Sequence, residues 1–419
     1  MFLYTLWGNR ERTKGISKNG MLQVLSLDDA KDKLLMLAQK KSVCYERAPL
    51  LSCCGCNLAQ DVYSNEDLPA FDRSAVDGFA VASGDTFGAS AAQPSLLRLT
   101  GEVKMGERAR APVESGTCAT VWTGGEIPHG ADAMVMLEEA ELLGSMVAVE
   151  HATAPGRHIV FRGDDVNKGE LLLRAGIRLG AREIGLLAAL GITDTRVKRR
   201  LRVGVLSTGD ELVDPAQTPV DGQIRDSNGV MLLCACQEEG VNASFFGRVA
   251  DEEAALLSAL EKAAGACDLL LLSGGSSAGA KDAAYRCMAK LGEPLFHGLA
   301  LKPGKPTLAG KIREMIVVGL PGHPAAAYLV FHALVRPLIA AMKGEPLVER
   351  TVRARLTQAV PSNDGREELL PVRIRGEEAE PVAIKSGLIS PLTRANGYIR
   401  IPRDTEGLPK GATVDVILF

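Results

Sequence analysis

Three glycine-bearing segments have residue types suited to holding an anion: Thr208-Gly-Asp-Glu211, Ser273-Gly-Gly-Ser-Ser-Ala-Gly279 and Leu320-Pro-Gly-His-Pro324. Each follows a short apolar run. Glycine lets backbone N–H groups come close to an anion, and a following helix N-terminus adds partial positive charge. Ser273–Gly279 is therefore a candidate phosphate cradle, although glycine after a strand is also an ordinary turn. Lys302-Pro-Gly-Lys-Pro306 puts two cations on a turn stiffened by proline, so Lys302 and Lys305 lose less freedom on pairing with an oxyanion. The plain alternative is two solvated lysines. Asp210, Glu211, Asp226, Asp251 and Asp282 fall near these loops. A phosphate pocket uses carboxylates when it also holds a divalent cation, and Mg²⁺ is typically held by one or two of them. Helix capping is the alternative and suits Asp251 and Asp282.

Two familiar cradles are excluded. Gly274 and Gly279 have the Walker A separation, but Ala280 precedes Lys281 and no Ser or Thr follows it. No GxGxxG follows the apolar run Val203–Leu206, which argues against a dinucleotide site.

The elements that must position these loops follow from periodicity. From Leu201 onward, apolar runs alternate with helical spacing. The runs are Val203–Leu206, Ala243–Gly247, Asp268–Leu272 and Ile316–Leu320; the helices are Asn228–Glu239, Asp251–Ala264, Asp282–Leu291 and about Ala325–Met342. This alternation predicts a doubly wound, mostly parallel sheet, whose ligands bind at the carboxyl ends of the strands. Ser26 with Asp28 and Asp29 marks a helix start. Short runs such as Ala119–Trp122, Ala133–Leu137 and Met146–Val149, broken by Gly and Pro, predict a small β domain. A helix over Arg182–Leu190 is expected to end at Gly191. After Gly344-Glu-Pro346, four runs predict a C-terminal β domain: Val352–Leu356, Leu369–Ile374, Gly397–Ile401 and Val414–Leu418.

The expected division is a disordered extension over 1–21, a helix and strand linker domain over 22–70 plus 164–199, an inserted β-rich domain over 71–163, an α/β domain over 200–345 and a β-barrel-like domain over 346–419. The 419-residue length accommodates two to four domains at about 100–200 residues each.

Composition narrows the partners. Net charge is −3 and the pI is near 6.2, which argues against nucleic acid, whose binding calls for a basic face. The nine cysteines show no regular spacing, with no second CxxC pair after Cys53–Cys56, and the six histidines no HxH or HExxH. A disulfide framework and a histidine zinc site are both disfavoured. The cluster Cys53, Cys54 and Cys56 reads as free thiols, with a soft-metal site as the lesser alternative. The N-terminus places its short apolar run before its basic residues, the reverse of a secretory signal. No run is read as the roughly 20 apolar residues of a membrane span. A cytoplasmic protein is expected.

Seven segments occur in this order: Phe71-Asp-Arg-Ser-Ala-Val-Asp-Gly-Phe-Ala80, Thr123-Gly-Gly-Glu-Ile-Pro128, Arg162-Gly-Asp-Asp165, Ser207-Thr-Gly-Asp-Glu-Leu212, Gly222-Gln-Ile-Arg-Asp-Ser-Asn228, Lys302-Pro-Gly-Lys-Pro306 and Gly319-Leu-Pro-Gly-His-Pro324. From about residue 22 to the end, the chain resembles the molybdopterin molybdenumtransferase family, which includes MoeA and the gephyrin E domain. The resemblance implies a four-domain homodimer with a shared active site. It implies transfer of molybdate to adenylylated molybdopterin with release of AMP, a Mg²⁺ requirement and transient contact with the molybdopterin adenylyltransferase. It implies Asp77, Thr123, Glu211, Asp251 and Asp282 as catalytic residues, with Glu211, Asp251 and Asp282 also facing the metal. It places Asp165, Thr208, Gly209, Ser273, Gly274, Gly275, Lys302, Lys305, Pro321, Gly322 and His323 against the substrates. Asp77, Thr123 and Asp165 would come from the inserted-domain side.

Two departures stand out. Ala280 replaces the usual carboxylate of the glycine loop, so Asp282 is matched to the acid two residues on. His323 replaces an asparagine and is bulkier and titratable. Two other readings stay in view. One is a non-catalytic cofactor-binding or scaffold relative. The other is a nucleotide pyrophosphatase resembling CinA in the sheet domain alone, against which the 71–80 and 123–128 motifs argue.

Overall fold

The structure, a computed structural model, describes residues 24–39, 44–274, 278–362, 365–383, 385 and 387–419; the side chains of 278–282 lie outside that description. The expected extension over 1–21, Gly275 and the Asp282 side chain fall outside it. The chain divides into two compact units, one from the described residues of 1–43 and 200–419, the other from 44–199.

The first unit opens with helix α1 (Leu27–Gln39). Ser26 begins it as expected: its Oγ accepts from the Asp29 N–H at 3.1 Å and donates to the Asp29 carboxylate at 2.7 Å. A six-stranded sheet follows, from β1 (Arg202–Thr208), β2 (Asn242–Val249), β3 (Leu269–Gly274), β4 (Glu293–His297), β5 (Leu308–Ile312) and β6 (Met315–Leu320). Its order is β2-β1-β3-β6-β5-β4. The first four strands are parallel and carry the expected apolar runs; Leu269 to Leu272 are all buried. Continuous apolar runs arise because both faces are covered. The helices are α2 (Ser227–Glu238), α3 (Glu253–Ala264), α4 (Ala278–Leu291) and α5 (Pro324–Lys343).

The antiparallel edge of β5 and β4 went unread in the sequence. The β5–β6 hairpin turns on Arg313 and Glu314, with Arg313 at φ 52°. Such turns usually show Asn-Gly or Asp-Gly, so an Arg-Glu pair gave no cue. Helix α5 also departs from expectation. It is 20 residues long and apolar enough to cross a membrane by length and composition, yet most of it is buried inside the protein. Leu329, Phe331, Leu334 and Leu338 pack there with Leu27 and Leu34 of α1.

The C-terminal strands are β7 (Thr351–Leu356), β8 (Glu367–Arg375), β9 (Glu378–Pro381), β10 (Gly397–Ile401) and β11 (Thr413–Leu418). They close as β8-β9-β7-β11-β10 and back to β8. Closure leaves this ring without an open edge. The two-residue strand Leu301–Lys302 adds parallel to β8, setting Lys302 beside Glu368.

The second unit holds another six-stranded sheet, in the order Ala133–Met136, Gly78–Val81, Thr117–Val121, Ser95–Val103, Met146–Val149, Ala140–Leu143. The Tyr45–Pro49 strand pairs antiparallel with Asp194–Lys198. Helix Ala181–Ala189 ends as expected, with Gly191 at φ 68°.

Candidate functional site

In the first unit, β1 and β3 lie side by side where the strand order reverses, with Ser207 opposite Ser273 and Thr208 opposite Gly274. Such a switch point opens a crevice beyond the strand ends. Gly274 has φ 128°, and a Cβ there would fall 1.9 Å from the Thr208 carbonyl oxygen. Only glycine permits this approach. Gly209 N–H donates to the Val249 carbonyl at 3.2 Å, and the Glu211 carbonyl accepts from Ile224 N–H at 2.8 Å. These bonds hold the Thr208–Glu211 turn against its neighbours. The result is a cleft of about 480 Å³ lined by Thr208, Glu211, Asp226, Asn228, Ser273, Gly274, Gly322 and His323. Four segments distant in sequence thus meet at one sheet edge.

A second cleft, of about 430 Å³, is lined by Lys302, Lys305, Pro321, His323, Arg366, Glu368 and Lys385. His323 borders both clefts. Lys302 Nζ stands 3.1 Å from Glu368, which also accepts from Ser362 Oγ at 2.8 Å. The Lys302–Pro306 turn is pinned by Thr307, whose hydroxyl donates to the Gly304 carbonyl at 2.7 Å. Four cationic side chains against one carboxylate make this cleft suited to an oxyanion. Sequence reasoning missed Arg366 and Lys385. No local pattern marks them, because their place depends on how the C-terminal barrel joins Leu301–Lys302.

The acids divide by role. Asp226 is the N-cap of α2, its Oδ1 accepting from Gly229 N–H at 2.8 Å. Asp251 is not the cap expected of it: α3 starts after Glu252, which makes no side-chain cap bond. The Asp251 N–H donates instead to Asp210 Oδ1 at 3.1 Å. Burial pushes the Asp251 carboxyl up, the Glu211 and Asp210 carboxylates push it further, and the Thr208 hydroxyl opposes them. Its Oδ1 is buried without a hydrogen-bond partner. Crowded carboxylates with an unsatisfied oxygen fit a divalent cation, which would relieve both the repulsion and the desolvation. Glu211 and Asp251 would hold it. Among the described residues, no group of three His, Cys, Asp or Glu is arranged to hold a metal ion.

In the second unit, Asp77 precedes the Gly78–Val81 strand. A Cβ at Gly78 would fall 2.0 Å from the Val135 carbonyl oxygen, so glycine lets the strand that follows Asp77 lie close against the Ala133–Met136 strand. Asp77 Oδ1 accepts from Thr123 N–H and Thr123 Oγ1, both at 2.7 Å. The Thr123 turn is tied to the same segment by Gly124 N–H donating to the Ser74 carbonyl at 2.8 Å. Asp165 is exposed in the adjoining 162–165 turn; Arg162 N–H donates to Asp72 Oδ1 at 2.8 Å, and Asp165 N–H to the Leu68 carbonyl at 3.0 Å. Asp77 and Thr123 are therefore in direct contact, and the Asp165 turn is tied by its backbone to Leu68 and Asp72.

A parallel-centred sheet with polar loops at its switch point, a closed five-stranded barrel and a β-rich segment define a multidomain protein with a molybdopterin-binding-like α/β core. Family comparison agrees along the chain. Residues 25–191 match the MoeA N-terminal region (domain I and II), 204–341 the "Probable molybdopterin binding domain", and 353–419 the MoeA C-terminal region (domain IV). The chain is 32% identical to a molybdopterin molybdenumtransferase of Haemophilus influenzae, covering 94% of this chain and 99% of that one. It is 32% identical to one of Bacillus subtilis, covering 86% and 87%. A solved molybdopterin biosynthesis MoeA protein of Pyrococcus horikoshii is similar with a TM-score of 0.75 and 36% identity, covering 94% and 99%. The chain belongs to the MoeA molybdopterin molybdenumtransferase family.

Proposed function

We propose that this protein is a transferase of molybdenum cofactor biosynthesis that inserts molybdate into adenylylated molybdopterin and releases AMP. The observation that carries this reading is the meeting of two clefts at His323, one lined by Thr208, Ser273 and Gly274, the other by Lys302, Lys305 and Arg366. A pterin nucleotide has phosphate to be cradled and an end that must receive a dianion. In this reading Ser273, Gly274 and Gly275 cradle phosphate, with Thr208, Gly209, Pro321 and Gly322 beside them. Lys302 and Lys305 attract molybdate. The lysines lower the cost of bringing two anions together. Glu211 and Asp251, with Asp282, would hold Mg²⁺. The bound cation would neutralise charge on the pyrophosphate oxygens.

The same reading makes the enzyme a cytoplasmic homodimer. Asp77, Thr123 and Asp165 of the partner subunit complete the site, and the adenylyltransferase hands over its product by transient contact. The segments 22–70 with 164–199, 71–163, 200–345 and 346–419 then act as four domains. The test is AMP release from adenylyl-molybdopterin measured with and without molybdate and Mg²⁺. Release that needs both supports the assignment; no release with both present overturns it.

A further inference from the structure

Asn228 lies at the start of α2, behind the cap formed by Asp226. Gly229 follows it, and a Cβ there would fall 2.6 Å from Asp226 Oδ2 and 3.0 Å from Ser207 Oγ, so this first turn has little room to shift. Asn228 is 8% exposed. Its Nδ2 donates to the Gly322 carbonyl at 2.8 Å, while its Oδ1 is buried without a hydrogen-bond partner. An unsatisfied buried acceptor is destabilising. An apolar side chain would avoid that cost, so the amide is explained by what its donor does. Gly322 immediately precedes His323, which borders both clefts.

We propose that Asn228 is a positioning residue: by donating to the Gly322 carbonyl it sets the place of His323 in the wall between the two clefts. The proposal rests on the functional reading above, in which the substrate reaches from one cleft into the other. Displacing that wall misaligns the reacting ends without removing any group that binds them. Misplacement by about 1 Å costs on the order of 100-fold in rate.

The test compares Asn228→Asp and Asn228→Gln with the wild type for AMP release, with melting temperatures recorded for each. Asp keeps the shape but is an acceptor only when ionised; Gln keeps the donor on a longer arm. Expected for Asn228→Asp at pH 8 is a kcat lowered at least about tenfold with KM within about threefold. Its activity relative to wild type should rise as pH falls toward 5.5, because burial against the Gly322 carbonyl raises the introduced carboxyl and its protonated form regains a donor. Gln should recover part of kcat. An unchanged kcat, or a flat pH ratio with no recovery by Gln, overturns the proposal. If the wild type itself releases no AMP, the functional reading fails separately. Amide hydrogen exchange over residues 320–326 then decides: faster exchange in Asn228→Asp than in wild type sustains the positioning role, and equal exchange overturns it.

Discussion

The Asp77 carboxylate takes two hydrogen bonds from a single residue, since the N–H and the hydroxyl of Thr123 both lie 2.7 Å from Oδ1. Together they hold the Asp77 carboxyl below the ordinary carboxylate range, the backbone bond contributing most and the hydroxyl next. Thr123→Val deletes the smaller cause and keeps the larger. The Asp77 titration midpoint, followed by carboxyl-carbon NMR, is expected to rise but to stay below that of a free aspartate. Because the folded value is lowered, this contact stabilises above the unfolded pKa and is lost as pH falls through the folded one. A midpoint identical in variant and wild type would remove the hydroxyl from this account.

The close approach of β1 and β3 depends on Gly274. Gly274→Ala would force a Cβ against the Thr208 carbonyl at φ 128°. Strain of this kind costs about 1–3 kcal/mol, and relief requires the strand ends to part. AMP release is expected to fall by at least about 100-fold, with a melting temperature lowered by several degrees. Wild-type turnover from the alanine variant would show that the strand spacing is not critical.

Mg²⁺ should stabilise the protein through the acids that repel one another. The raised Asp251 carboxyl is disfavoured in its charged form by burial and then by Glu211 and Asp210. The sign follows: stability from this group is greatest below the ordinary pKa and declines as pH rises through the folded value. A cation bound to the native state raises the melting temperature by mass action. Thermal shifts at pH 7.5 should show a Mg²⁺-dependent rise in wild type, reversed by EDTA, and a much smaller one in Asp251→Asn. Equal shifts in both would place the ion elsewhere.

His332 sits inside α5, packed between the rings of Tyr328 and Phe419 at 4.4 and 4.9 Å, with neither ring nitrogen hydrogen-bonded. Burial, helped by the Arg336 charge, pushes its pKa down to about 3. The unfolded chain takes up this proton near pH 6.5, so the stability loss begins there and grows as pH falls toward 3. At pH 5 the loss is about 2 kcal/mol, at about 1.4 kcal/mol per pH unit. His332→Leu should narrow the gap between melting temperatures at pH 7.5 and pH 5. An unaltered gap would assign acid sensitivity to other groups.

The main strands and helices of the α/β core were legible because their periodicity is strong: Val203–Leu206 and Asp268–Leu272 read as strands, and the observed strands Arg202–Thr208 and Leu269–Gly274 bury those apolar runs. The seven ordered segments identify the family, and the glycine loops by themselves point to a sheet edge. Local chemistry sufficed there, since a turn after a parallel strand must emerge at its carboxyl end.

Tertiary structure alone decided the rest. It gave the Asp226 carboxylate to a helix cap and left Asp251 crowded by Glu211 and Asp210. It brought Arg366 to the Lys302 turn through a parallel strand pairing with no sequence signature, and set Lys385 in the same cleft. It joined Asn228 to Gly322, 94 residues away. Periodicity reports which face of an element is buried, but contacts between elements depend on how those faces pack. Cleft shape, the partner of a buried amide and the mutual repulsion of carboxylates are properties of that packing.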